Sequence, residues 1–236
     1  MENKNYLMVS EKFYSIQGEG KTVGTPAVFL RLTGCNLLCQ SDSWICDTIE
    51  VWRKGEKQSF ERVLTGELFL ALKAGAHLVI TGGEPLLHQE KITDFLQWFQ
   101  KGFGWKPVIE IETNGTIIPN SYLRMIVDYW NVSPKLKNSG ESVERRINPE
   151  AIKMLNGMGT SIFKFVIEKE EDYEDMFNTF ISNHAVKKNK VYLMPAGENQ
   201  EQLDKTRNVV VELCKVHRVK YTERLHIVIW NKKTGV

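Results

Sequence analysis

The feature that most constrains this chain is a regular alternation of short apolar runs with longer amphipathic ones. The short runs are residues 27–33, 77–81, 107–112, 129–133, 162–167, 191–194 and, near the C-terminus, 225–230. They have strand length and are rich in Val, Ile, Phe and Tyr. Between them, 61–74, 92–100, 148–158, 171–184 and 199–217 repeat apolar residues near the helical period, with Pro149 marking a helix start. Strands alternating with helices predict an α/β fold with a parallel sheet and helices outside it. About six βα units are too few to close an eight-unit barrel. The expected architecture is therefore a partial, open TIM-like barrel built from residues 1–236 as a single domain.

The residues that break the pattern fall where strands end. Thr33-Gly34-Cys35 follows the first run, Thr81-Gly82-Gly83-Glu84-Pro85 the second, Glu112-Thr113-Asn114-Gly115 the third, Ser133-Pro134-Lys135 the fourth and Met194-Pro195 the sixth. In parallel α/β folds the ligand site gathers at the C-terminal ends of strands. These segments, far apart in sequence, are expected to converge on one mouth.

Composition narrows the function classes. With 31 Lys and Arg against 29 Asp and Glu, the formal net charge of +2 provides no broad field for phosphates, so no nucleic-acid partner is expected. The sequence has no run of the ~20 apolar residues that a membrane span needs, and its N-terminus has no signal-peptide pattern. A cytoplasmic protein with no membrane partner is expected. Three of the four cysteines, Cys35, Cys39 and Cys46, lie within twelve residues. In a reducing compartment such a cluster reads as a metal site. Thiolates serve zinc or iron–sulfur clusters alike, and the spacing leaves both open. Cys214 lies on the apolar face of a predicted helix and reads as core. No histidine ligand is expected. Lys187–Lys190, Lys232 and Lys233 read as surface charge, and the acidic stretch 168–175 as a solvated loop or helix start. The two glycines of the Gly82-Gly83-Glu84-Pro85 turn allow close backbone approach to a ligand, or simply a tight turn with Pro85 opening a helix.

The cysteine loop after the first strand and the GGEP turn after the second resemble the radical S-adenosylmethionine superfamily. Six ordered segments narrow the resemblance: 13–20 (FYSIQGEG), 24–39 (GTPAVFLRLTGCNLLC), 44–52 (WICDTIEVW), 79–85 (VITGGEP), 109–115 (IEIETNG) and 132–136 (VSPKL) are similar to the 7-carboxy-7-deazaguanine synthase family, with a further match at 224–230. The resemblance implies a lyase that contracts 6-carboxy-5,6,7,8-tetrahydropterin to 7-carboxy-7-deazaguanine with loss of ammonia. It would use a [4Fe-4S] cluster, S-adenosylmethionine and Mg²⁺. Cys35, Cys39 and Cys46 would ligate the cluster within a loop spanning 35–46, and Thr48 the Mg²⁺. Ile16, Gln17, Gly18, Arg31, Thr81 and Pro195 would contact substrate, Arg31 as a bidentate clamp for its carboxylate. Gly82, Gly83, Glu84, Glu112, Asn114, Ser133, Pro134 and Lys135 would hold S-adenosylmethionine.

The resemblance also implies a reductant such as flavodoxin or ferredoxin, a homodimer, and a closing segment over 219–236. One departure concerns the third cysteine gap. Six residues separate Cys39 from Cys46, where the superfamily commonly has two, so the packing of Asp42 and Trp44 beside the cluster is not fixed by the pattern. A glycyl-radical activase or a zinc-stabilised binding module are the competing readings. The first should lack the Gln17, Arg31 and Thr48 set.

Overall fold

The computed structural model describes residues 5–41, 46, 48–233 and 235, so Asp42 and Trp44 lie outside the described residues. Its strands are β1 Tyr6–Ile16, β2 Pro26–Leu32, β3 Glu56–Ser59, β4 His77–Gly82, β5 Ile109–Thr113, β6 Tyr129–Val132, β7 Ser161–Ile167, β8 Val191–Pro195 and β9 Lys220–Tyr221. They form one nine-stranded sheet in the order β3-β1-β2-β4-β5-β6-β7-β8-β9. From β2 to β9 every pairing is parallel, while β1 runs antiparallel to both β2 and β3. The edge strands β3 and β9 do not pair with each other, so the sheet stays open as the unit count predicts. No helix among the described residues is long and apolar enough to cross a membrane.

The parallel strands carry two different faces. One face, with Val28, Leu30, Leu32, Leu78, Ile80, Ile109, Ile111, Trp130, Val132, Phe163 and Phe165, is buried in a continuous apolar core. Residues of the helices Gln89–Phe103, Pro149–Gly157 and Gln200–His217 pack into that core, among them Phe95, Leu155 and Val210. The alternate residues, including Arg31, Thr81, Glu112, Ser133 and Lys164, line a cavity instead. Cys214 belongs to the apolar core, as its position on a helix face predicts.

Several elements differ from the sequence reading, among them the short edge strands β3 and β9, which it does not contain. The run Leu225–Trp230 is a helix, not a seventh strand. The sheet already ends at β9, and a short β-branched run does not choose strand or helix by itself. Arg224, His226 and Ile227 at the start of this helix and Asn231 just after it line the cavity together. The single helix expected over 61–74 is broken into Phe60–Val63 and Gly66–Lys73, with Gly66 at φ +57°, a conformation that favours glycine. Strand β1 is absent from the sequence reading because a bulge disrupts its alternation. Val9 pairs with Leu32, but Glu11 pairs with Arg31, so one extra residue enters β1 between them. Leu7 and Val9 therefore face the core, whereas Glu11 and Phe13, of the same parity, face the cavity.

In the core Phe95 is fully buried, with ring centroids 5.4 Å from Phe60, 6.1 Å from Trp98 and 6.4 Å from Phe99. Phe95→Ala is expected to cost ~3–5 kcal/mol through lost burial and a residual cavity. Urea unfolding of the cluster-free protein checks it, and a loss below about 1 kcal/mol would show that the helix does not depend on this contact.

Candidate active site

The C-terminal ends of the parallel strands open into one cavity of about 550 Å³, a size typical of small-molecule and cofactor sites. The segments expected to converge do so. Arg31, Thr81, Gly82, Gly83, Glu112, Asn114, Ser133 and Lys135 line it from the strand ends; Ile16, Gln17 and Gly18 from the end of β1 and the β1–β2 loop; and Cys35, Cys39, Cys46 and Thr48 from the segment after β2. Glu84, Pro134 and Pro195 stand one step back, with the wall formed by their neighbours Gly83, Ser133, Lys135 and Met194.

The three cysteines are free thiols facing this common space. The Cys46 N–H donates to the Cys39 carbonyl at 3.0 Å, which closes the loop, and the Leu37 N–H donates to Cys35 Sγ at 3.4 Å. Burial pushes the Cys39 thiol up to about 11, against the pull of Lys135 and reinforced by Cys46 and Cys35. Burial likewise raises Cys35. Such thiols hold their protons until a metal displaces them, and a backbone donor at sulfur is the kind of contact that tunes iron–sulfur clusters. The donor set fits a thiolate-bound cluster.

The glycine turn has a steric reason. A Cβ on Gly83 would lie 2.5 Å from Cys35 Cβ and against the Gly34 carbonyl; one on Gly82 would lie 2.5 Å from the Leu32 carbonyl oxygen. The cysteine loop lies directly on this turn. Glu84 fastens it: its N–H donates to the Gly34 carbonyl at 2.9 Å. Its carboxylate is fully buried and accepts from Leu86 N–H at 3.0 Å, Thr113 Oγ1 at 2.9 Å and Asn114 N–H at 2.6 Å. Burial pushes Glu84 up to about 7 in spite of these donors. Asn114 adds a second tie, donating through Nδ2 to Asn36 Oδ1 at 2.9 Å. Both residues, read from sequence as cofactor contacts, have these side-chain bonds to the scaffold of the cysteine loop.

On the opposite wall, Arg31 Nε donates to Glu11 Oε1 at 2.7 Å. Below that pair the Phe13 and Phe29 rings stack at 5.0 Å with an 11° interplanar angle. Glu112 accepts from Thr81 Oγ1 at 2.9 Å and from Gln17 Nε2 at 3.3 Å, and Gln17 is buried. Thr48 occupies the N-cap position of the short helix Ile49–Trp52, yet its hydroxyl makes no cap hydrogen bond; it lies 3.5 Å from Cys46 Sγ on the cavity wall. Helix capping therefore does not occupy this hydroxyl.

Sequence reasoning missed a further group. The Glu19 carboxylate, 14% exposed at the cavity wall, accepts from Lys164 Nζ and, at 3.1 Å, from Arg224 Nε. Burial would raise Glu19, but Lys164, Arg224 and His226 outweigh it and hold the carboxyl well below the usual carboxylate range. Burial would likewise lower Lys164, yet Glu19 and Glu112 hold it above its ordinary value. Lys164, Arg224 and His226 all line the cavity. The available signal was one lysine inside the otherwise apolar strand SIFKFVI. Arg224 and His226 were hidden by the strand assignment of 225–230. The helix they border is anchored by the Leu225 N–H, which donates to the Gly18 carbonyl at 2.9 Å.

Comparison with known proteins agrees with this geometry. A family model described as a 4Fe-4S single cluster domain matches residues 16–133. The 7-carboxy-7-deazaguanine synthase of Pyrobaculum aerophilum is 33% identical over 231 residues, covering 97% of this chain and 97% of its own. That of Halobacterium salinarum is 32% identical over 246 residues, covering 95% and 91%, and that of Rhodopirellula baltica 31% over 249 residues, covering 99% and 90%. Among solved structures, QueE from Escherichia coli superposes with a TM-score of 0.68 at 22% identity, covering 96% of this chain and 100% of that one. That likeness shows the shared fold, and the sequence relatives place the chain in the family. Cysteine loop, glycine turn and full-length likeness together make this chain a member of the 7-carboxy-7-deazaguanine synthase family, with a radical S-adenosylmethionine fold.

Proposed function

We propose that this cavity carries out the family's reaction, the contraction of 6-carboxy-5,6,7,8-tetrahydropterin to 7-carboxy-7-deazaguanine with loss of ammonia, in 7-deazapurine and queuosine biosynthesis. The observation that carries the reading is the meeting, in one cavity, of the three thiols, the glycine turn and the polar set Gln17, Arg31, Thr81 and Glu112. Cys35, Cys39 and Cys46 would hold the [4Fe-4S] cluster. Gly82 and Gly83 at the turn and Ser133 and Lys135 beside it would hold S-adenosylmethionine, with Glu84, Asn114 and Pro134 fixing their backbone. Cluster and S-adenosylmethionine supply, when bound, one-electron chemistry able to remove a hydrogen atom from the substrate.

The chain's own residues bind, orient and shield. Arg31 offers a planar fork for the pterin carboxylate. Gln17, Ile16 and Gly18 meet one edge of the ring, Thr81 and Glu112 another. The stacked Phe13 and Phe29 rings form an apolar wall that keeps water from the reacting face. Thr48 would donate one oxygen to Mg²⁺. A single hydroxyl is too few for an octahedral site, so substrate oxygens and waters complete it and the metal binds with substrate. Glu19, Lys164 and Arg224 tie the β1–β2 loop to β7 and to the C-terminal segment 219–236, which closes the mouth next to Met194 and Pro195. The contraction with loss of ammonia is itself redox-neutral, but the cluster, when bound, would need one electron to become active, hence a reductant such as flavodoxin or ferredoxin. The open sheet edges β3 and β9 favour a homodimer, the near-balanced charge disfavours a nucleic-acid partner, and the reading places the enzyme in the cytoplasm with no membrane partner.

The direct test is anaerobic reconstitution with reductant, S-adenosylmethionine, Mg²⁺ and the carboxytetrahydropterin, read by mass spectrometry. 7-Carboxy-7-deazaguanine and 5′-deoxyadenosine are both expected. 5′-Deoxyadenosine alone would overturn the substrate, and neither product from a protein with an intact cluster would overturn the activity. Gly83→Ala is expected to fold with the parent circular dichroism but to retain on the order of tenfold less iron after reconstitution, as overpacking of ~1–3 kcal/mol dislodges the cysteine loop; undiminished iron content would contradict the steric argument. Thr48→Val removes the hydroxyl while keeping the shape. It is expected to raise the Mg²⁺ concentration for half-maximal rate about tenfold or more, and an unchanged requirement would place the metal elsewhere.

A further inference from the structure

We propose that Glu11 is the positioning residue that turns Arg31 into a directional carboxylate receptor; this rests on the reading that the cavity takes a carboxylated pterin. Glu11 and Arg31 are direct cross-strand partners on β1 and β2. Their side chains are 25% and 15% exposed, so the pair sits at the cavity wall and is largely shielded from solvent. Glu11 Oε1 engages Arg31 through Nε at 2.7 Å, and among the described residues the guanidinium makes no other hydrogen bond. One edge of the guanidinium is thus fixed by the protein, and the terminal nitrogens remain for a planar bidentate partner.

The backbone shows that this placement is built in. Without the bulge between Val9 and Glu11, the strict alternation that puts Leu7 and Val9 into the core would carry Glu11 there too. The extra residue reverses the parity, and so places Glu11 opposite Arg31 and Phe13 opposite Phe29 on the cavity side. The same irregularity aims the acid that holds the arginine and the ring that stacks beneath it.

Charge and orientation give opposite predictions. If the substrate carboxylate felt only net charge, removing the negative neighbour would tighten binding. If it needs an oriented fork, removing Glu11 would loosen it. With reconstituted holoenzyme, Glu11→Ala is expected to raise KM for the carboxytetrahydropterin about tenfold, the loss of one charge-assisted hydrogen bond, with kcat within about threefold. Glu11→Gln keeps an acceptor for Nε and is expected to restore most of the lost affinity. Competitive inhibition by a tetrahydropterin lacking the 6-carboxylate is expected to be unchanged in both variants. A lower KM in Glu11→Ala or Glu11→Gln would overturn the proposal in favour of a charge effect, as would a weakened response to the carboxylate-free pterin in favour of general damage to the wall. Arg31→Ala run in parallel separates the two levels: an unchanged KM there would sink the placement of the carboxylate itself, whereas a raised KM with an indifferent Glu11→Ala would sink only the role of Glu11.

Discussion

The joint at Glu84 is the constraint on which the rest of the site depends. Its backbone reaches the cysteine loop through Gly34, and its carboxylate reaches Leu86, Thr113 and Asn114, so the ends of β2, β4 and β5 meet at one residue, β2 through its backbone and β5 through its side chain. The carboxyl is buried, and desolvation alone would make it costly there. Three donors answer it, two of them backbone N–H groups. Because each donor belongs to a different position of the turn and of the β5 end, the group has one arrangement in which it is satisfied. The start of the cysteine loop, Gly34-Cys35, is thereby seated on a fixed platform.

The sheet separates two solvents. One face of the parallel strands is continuous with the helices and almost wholly apolar, with Ser161 and Thr113 as buried polar exceptions at strand ends. The other carries Arg31, Thr81, Glu112, Asn131 and Lys164. Charges in such a place persist only when paired. Glu19 has Lys164 and Arg224, Arg31 has Glu11, and deeper in the same face Glu110 accepts from Thr22 Oγ1 at 2.7 Å and Asn131 Nδ2 at 3.1 Å and lies 2.5 Å from His77 Nδ1. The interior of this open barrel is thus a prearranged set of dipoles and ion pairs, able to hold a polar heterocycle in fixed orientation without reorganising around it.

Closure of the barrel is achieved by loops instead of strands. Leu225–Trp230 is a helix beside the cavity, and it is fastened to the β1–β2 loop by the Gly18 carbonyl and by Arg224 to Glu19. Segments more than two hundred residues apart in sequence therefore share one wall.

How much of this was legible beforehand follows from the range of the forces involved. Sequence by itself determined the alternation of elements, the openness of the barrel, the identity of the thiol triad and the convergence of Arg31, Thr81, Gly83, Glu112 and Ser133 on one mouth, because strand periodicity and strand-end position are local properties. It also carried enough family signal to identify the chemistry. Tertiary structure alone decided that Leu225–Trp230 is helical, since its local propensity is ambiguous and its start is held by the Gly18 carbonyl more than two hundred residues away. It alone revealed the bulge that turns Glu11 and Phe13 inward, because one inserted residue looks in sequence like a failed alternation. It alone assigned Glu84 and Asn114 their bonds to the cysteine-loop scaffold and brought Glu19, Lys164 and Arg224 together. The pairing of buried charges is fixed by contacts across the whole chain, and no local pattern encodes which carboxylate will meet which cation.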